Sequence, residues 1–172
     1  YYSTSFYGMT VISTVIFVFT IFASYYLGSI FSIPEDYVKE VQYLFILSIL
    51  SFLILSIASV FYVGPFIKHR IYLTDFSEIL GKILQLIFII FLYNFSSVTL
   101  VNFGFSSLIF GVTVVFVCFF VSRKIMPELT ITRNNFNRNK LNKMVAMGTG
   151  SSLNTLGMLL YTNSDIVIVN IL

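Results

Sequence analysis

The stretch Arg123 to Lys143, RKIMPELTITRNNFNRNKLNK, decides the fold of this chain. It carries six of the ten basic residues against a single acid, Glu128. Four long apolar runs precede it and a fifth follows it. Short loops rich in Lys and Arg stay on the cytoplasmic side of a membrane protein. The stretch therefore predicts a chain that crosses a membrane several times and keeps this segment in the cytoplasm.

The composition excludes an ordinary soluble domain. Hydrophobic residues make up 58% of the 172 and charged residues only 10%, whereas soluble domains have about 25% charged residues. The net charge of +3 does not indicate nucleic-acid binding, because the basic residues lie beside apolar runs; contact with anionic membrane lipids is the better interpretation. The one cysteine, Cys118, lies inside an apolar run and is interpreted as a packing residue.

The apolar runs predict an all-α, polytopic bundle of five transmembrane helices, since about 20 residues cross a bilayer. The predicted spans are residues 8–33, 41–67, 74–93, 98–122 and 144–172. The acidic loop 34–40 and the short link 94–97 are expected outside, and 68–73 and 123–143 inside. His69, in the basic turn, is expected to be solvated. The sequence begins without Met and ends on an apolar run, so we expect it to be a piece of a longer protein.

Residues 123–143 are predicted to form a basic cytoplasmic linker. Two interpretations stay open: a segment lying on anionic lipid, which we favour, or a plain solvated connection. The side chains that would hold it to the lipid surface are Arg133, Arg138, Lys140 and Lys143.

Polar or small residues share faces on three of the predicted helices. On the first, a hydroxyl stripe indicates either packing by small residues or the wall of a polar cavity; its members are Thr10, Ser13, Thr14, Thr20 and Ser24. On the third, Thr74 is predicted as the N-cap, and Glu78, Lys82 and Gln85 follow one face at helix-stabilising spacing. On the fourth, Gly104 and Gly111 favour close approach of a neighbour.

The fifth span is the most polar of the five. Asn154, Tyr161 and Asp165 share one face, with Thr162 beside them. Because ionisable residues inside membranes are expensive and commonly functional, these four side chains are the candidate substrate or ion pathway. The alternative is a helix end at which Asp165 simply meets water.

No nucleotide-binding loop, HExxH motif or Cys/His metal spacing occurs in the sequence. The sequence therefore predicts no cofactor, no metal and no catalytic residue, and it argues against a self-contained ATP-driven pump.

The order of elements resembles a known family. Four charge-poor spans, a basic linker, a Gly/Ser-rich start (MGTGSS) and the ending SDIVIVNIL are similar to the O-antigen and capsule repeat-unit flippases. These belong to the multidrug/oligosaccharidyl-lipid/polysaccharide exporter superfamily. The resemblance implies that residues 1–122 are most of an N-lobe, corresponding to helices three to six, and that 144–172 open the C-lobe.

The resemblance further implies export of undecaprenyl-pyrophosphate-linked oligosaccharides across the bacterial cytoplasmic membrane by alternating access. The implied partners are this lipid-linked cargo, membrane lipids and a coupling H⁺ or Na⁺, and the implied activity is transport, not catalysis. Two alternatives remain: a drug/cation antiporter of the same superfamily, and a membrane-embedded polysaccharide polymerase or acyltransferase. A scaffold without transport activity, in which the polar stripes only pack, is a further possibility.

Overall fold

The computed structural model describes residues 1–31, 33–95, 99–132 and 136–149. These residues form helices and connecting turns, and none of them lies in a β-strand. The elements are α1 (Tyr2–Ser24), α2 (Leu27–Ile30), α3 (Glu35–Ala58), a 3-10 turn (Ser59–Tyr62), α4 (Val63–Ile67), α5 (Tyr72–Phe95), α6 (Leu100–Ile125) and α7 (138–149). The expectation of an all-α chain is confirmed for this part of the sequence.

Within the described residues, four helical segments are long and apolar enough to cross a membrane. They are α1, the continuous segment Glu35–Ile67, α5 and α6, and they coincide with four of the five predicted spans. Of the fifth predicted span, only residues 144–149 are described, and these are helical.

The starts of the first two helices differ from the predicted bounds. α1 runs from Tyr2 to Ser24, whereas the predicted span was 8–33. It ends well before Pro34, in a tight turn in which the Tyr26 amide donates to the Ala23 carbonyl at 3.1 Å. Pro34 instead starts α3, with Glu35 and Asp36 in its first turn. We predicted this acidic stretch as a loop, but negative side chains at a helix N-terminus stabilise its unpaired amides.

Pro65 shapes the end of the second span. Proline has no N–H to bond the carbonyl four residues earlier, and the turn just before it, Ser59–Tyr62, winds as a 3-10 helix. The helix continues through Pro65 to Ile67, which is the predicted end of the second span.

The prediction that Thr74 caps the next helix was wrong. α5 starts at Tyr72, and the Thr74 hydroxyl donates to the Ile71 carbonyl at 2.6 Å rather than capping the helix.

α3 and α6 form the central pair of the bundle, with α1 packed on α3 and α5 packed on α6. Their close approach needs the two predicted glycines. A Cβ on Gly111 would lie 3.0 Å from Ser51 Oγ, and one on Gly104 would lie 2.9 Å from Leu47 Cδ1. Ser51 also donates a hydrogen bond to the Ser107 carbonyl across this interface. Small residues with one interhelical hydrogen bond are typical of membrane helix packing.

A buried apolar cluster lies at one end of this pair. Its members are Ala58, Phe61, Val114 and Cys118, and Cys118 is buried as a free thiol, which agrees with its predicted packing role. Tyr2, Phe6 and Ile131 pack against the cluster. The start of α1 and the segment after α6 therefore meet at the same end of the bundle.

The linker is shorter than predicted, because Arg123 and Lys124 lie in the last turn of α6 and α7 already begins at residue 138. Asn137 caps α7, its Oδ1 accepting hydrogen bonds from the amides of Asn139 (3.0 Å) and Lys140 (3.2 Å). The hydroxyls of Ser3 and Thr4 in α1 bond the linker backbone. This connection is docked on α1 at the positions described.

Candidate functional site

The predicted pathway residues Asn154, Tyr161, Thr162 and Asp165 lie outside the described residues, as does Arg133 of the predicted lipid-binding set. The other three basic residues lie on α7. Arg138 and Lys143 are exposed, and the Lys140 Nζ lies 4.9 Å from the centre of the Tyr1 ring. Their contact with a lipid surface stays a prediction.

The hydroxyl stripe on α1 was predicted either to pack against neighbouring helices or to form the wall of a polar cavity. The hydroxyls of Thr10, Thr14 and Thr20 each donate to a carbonyl one turn earlier at 2.8 Å, which satisfies them within their own helix. Ser13, Thr20 and Ser24 are buried, whereas Thr14 is exposed. The burial of three of the five favours packing by small residues over a polar wall.

α5 carries a different kind of stripe, a track of three polar side chains. Glu78, Lys82 and Gln85 follow each other at intervals of four and three residues, so they lie on one face. At about 1.5 Å per residue, they lie about 9, 15 and 20 Å from the start of a helix about 35 Å long. We call these three residues the polar track; it runs from the basic end of α5 past its midpoint.

Glu78 is half-buried and has a defined partner. The Tyr62 hydroxyl, from the 3-10 turn, donates to its Oε1 at 3.1 Å. A hydroxyl donor lowers the cost of holding a carboxylate in an apolar surrounding. The face of α5 next to the track packs on α6, where Gly81 is so close that a Cβ would lie 2.9 Å from both Phe110 and Val114. The track therefore flanks the α5–α6 interface.

Lys82 is exposed and lies at the midpoint of a helix that is long and apolar enough to span a membrane. A lysine at the centre of such a helix costs about 2.5–3.5 kcal/mol on insertion scales, and intramembrane charges almost always face a bundle interior or a water-filled cavity. Lysines near helix ends reach the interface, but Lys82 lies about 15 Å from the start of α5. The exposed side chain thus predicts a polar environment beside α5.

These residues were visible in the sequence but were interpreted only as helix-stabilising neighbours. Spacing of Glu78 and Lys82 at i,i+4 supports an exposed helix in water. The stronger signal was the depth of these residues in the span, because two charges and an amide occur inside a run made mostly of Leu, Ile and Phe. Counting residues from the predicted start of the span would have found them.

The track offers a carboxylate, an ammonium and an amide in a row. Such a set binds a polar solute through hydrogen bonds, and the ammonium favours a negative group. Among the described residues, no group of three or more His, Cys, Asp or Glu side chains is arranged to hold a metal ion. Comparison of the chain with family models, with curated proteins and with solved structures finds no match.

Proposed function

We propose that this chain is part of a membrane exporter in which α5 lines the route of a polar, negatively charged cargo. The observation that carries the proposal is the exposed Lys82 at the midpoint of a membrane-spanning helix. A cation there is stable beside water or an anionic cargo and costly beside lipid tails. A transport route is the arrangement that uses such a side chain.

The cargo that fits is a lipid-linked oligosaccharide carrying a pyrophosphate, as the resemblance of the sequence to repeat-unit flippases implies. Its phosphates would be attracted by the Lys82 ammonium, and its sugar hydroxyls would find hydrogen-bonding partners in Gln85 and Glu78. An ammonium on the route repels cationic drugs, and this disfavours the antiporter alternative. The proposed location is the bacterial cytoplasmic membrane.

The experiment replaces Lys82 in the full-length protein and measures surface polysaccharide in cells that depend on it. Lys82→Gln removes the charge, and Lys82→Arg keeps it. We expect at least a tenfold loss of export for Lys82→Gln and near-normal export for Lys82→Arg, at matched levels in the membrane fraction. Lys39→Gln removes one exposed charge at the other end of the bundle and serves as the control.

Normal export by Lys82→Gln would contradict the proposal. An equal loss from Lys39→Gln would also contradict it, because the effect would then follow net charge and not position on the track.

A further inference from the structure

We propose a second site at the basic end of the bundle: a cleft between the α4–α5 turn and the end of α6 that binds the phosphate headgroup of an anionic glycerophospholipid. The cleft has a volume of about 670 Å³, within the range of about 300–1,000 Å³ usual for small-molecule sites. It lies apart from the polar track and does not depend on the transport proposal.

Three cations line the cleft: Lys68 and Arg70 from the turn and Lys124 from the last turn of α6. Lys124 lies more than fifty positions after the other two in the sequence, and the packing of α4 on α6 brings it beside them. Part of this packing is the contact of Gly64 with Ser122, whose Oγ would lie 3.0 Å from a Cβ at Gly64. No carboxylate is among the described side chains that line the cleft.

The turn that presents two of these cations has a fixed backbone. The amide of His69 bonds the Phe66 carbonyl at 3.1 Å, and that of Arg70 bonds the Pro65 carbonyl at 2.8 Å. These two bonds form a Schellman motif, with His69 at the left-handed position (φ 53°) that glycine usually occupies. Lys68 and Arg70 therefore project from a hydrogen-bonded turn and not from a free loop.

The remaining wall of the cleft is apolar or amphipathic. Tyr72, Leu73, Val121 and Ile125 line it beside the cations, and Tyr72 is 62% exposed. Cations at a helix end above an apolar wall suit an amphiphile, whose phosphate meets the charges while its chains follow the helices. Basic pockets between transmembrane helices bind anionic headgroups in this way. A soluble anion would have no use for the apolar wall.

The 172 residues contain no tryptophan, so Tyr72→Trp adds a fluorescent reporter in the cleft wall, and its signal is read as the difference from the protein without the substitution. Brominated lipids quench this reporter only in contact. We expect brominated phosphatidylglycerol to quench more strongly than brominated phosphatidylcholine at the same mole fraction. Each cation near an anionic surface contributes about fivefold in affinity, so Lys68→Gln with Lys124→Gln should lower the preference by roughly 25-fold.

The matched control is Arg123→Gln with Lys39→Gln. It removes two exposed charges that lie outside the cleft and outside the predicted lipid-binding set, and it should leave the preference unchanged. Native mass spectrometry of the chain without the Tyr72→Trp substitution provides a second measurement. We expect retained phosphatidylglycerol that is lost in the Lys68/Lys124 variant only.

Equal quenching by the two lipids, or an equal loss in the Arg123/Lys39 control, would overturn the site. Displacement of the bound lipid by inorganic phosphate would overturn the lipid as its occupant and indicate a site for a soluble anion. A preference for an isoprenyl pyrophosphate over phosphatidylglycerol at equal mole fraction would overturn the glycerophospholipid and assign the cleft to the cargo.

Discussion

The Ser3 hydroxyl, in the first turn of α1, donates a hydrogen bond of 3.1 Å to the carbonyl of Thr130, 127 positions along the chain. The same oxygen accepts a bond of 3.2 Å from the Thr132 amide. One buried side chain thus satisfies two backbone groups of the linker, which has few local partners of its own. The start of α1 and the segment that leaves α6 are consequently held together.

Ser3→Ala should release this part of the linker. Each of the two lost hydrogen bonds contributes about 0.5–1.5 kcal/mol. We therefore expect the equilibrium constant for local opening of the linker to rise on the order of 10-fold or more. Hydrogen exchange of a peptide covering residues 126–132 should accelerate accordingly. Ser56→Ala is the control, because the Ser56 hydroxyl bonds only the Phe52 carbonyl of its own helix among the contacts described. Unchanged exchange in Ser3→Ala would show that other contacts hold the linker.

Gly111→Ala should weaken the packing of α3 on α6. The added Cβ would lie 3.0 Å from Ser51 Oγ and 3.1 Å from the Ser51 carbonyl oxygen, and the backbone atom cannot move aside alone. Overpacking of this kind costs about 1–3 kcal/mol. The midpoint of unfolding by a denaturing detergent should therefore move to a lower detergent concentration. Gly148→Ala, where nothing lies within 4 Å of the new atom, should be neutral or slightly stabilising. Similar midpoints for the two variants would contradict the close approach.

His69→Gly should stabilise the turn between α4 and α5. A side chain at φ 53° costs about 1–2 kcal/mol relative to glycine, partly offset by the flexibility of glycine in the unfolded chain. A net gain of about 0.5–1 kcal/mol is expected, and β-branched His69→Val should be less stable than the original. Thermal unfolding in detergent should rank the three as Gly, then His, then Val. The reverse order of Gly and Val would disprove the left-handed backbone.

The sequence predicted those features that depend on composition and short-range pattern. Four of the predicted apolar runs form helices long enough to cross a membrane. Gly104 and Gly111 lie where α3 and α6 meet. It did not predict what depends on partners distant in the chain. The Ser3–Thr130 bond and the cleft that unites Lys68 with Lys124 arise only after the helices pack, because no local pattern encodes which turns meet.

Helix starts were missed for a local reason. Glu35, Asp36 and Lys39 look like loop residues when only hydropathy is considered, yet they form the first turns of α3. Glu40, the residue after Lys39, reaches the start of α6, where its Oε2 accepts a hydrogen bond from the Leu100 amide at 3.3 Å. The acids at this end of the bundle therefore serve helix termini.

The orientation of the bundle follows from the same distribution of charge. Basic residues of the turn and of α6 share one end, which the positive-inside rule assigns to the cytoplasm. In a Cys118→Ala background, Asp36→Cys should react with an impermeant maleimide in intact cells, and Glu128→Cys only after permeabilisation. Both positions are exposed, so equal reaction in intact cells would overturn the assignment.

The central claim is that the polar track of α5 faces a polar route and not lipid, and water access at Lys82 tests it most directly. Lys82→Cys and Ile83→Cys, each in the Cys118→Ala background, place thiols on adjacent positions about 100° apart around one helix. Ile83 is 50% exposed but lies off the track. With a charged, water-soluble thiol reagent, we expect rapid modification of the Lys82→Cys protein and none of the Ile83→Cys protein. Failure of the Lys82→Cys protein to react in the folded, membrane-inserted state, or equal reaction at both positions, would contradict the account.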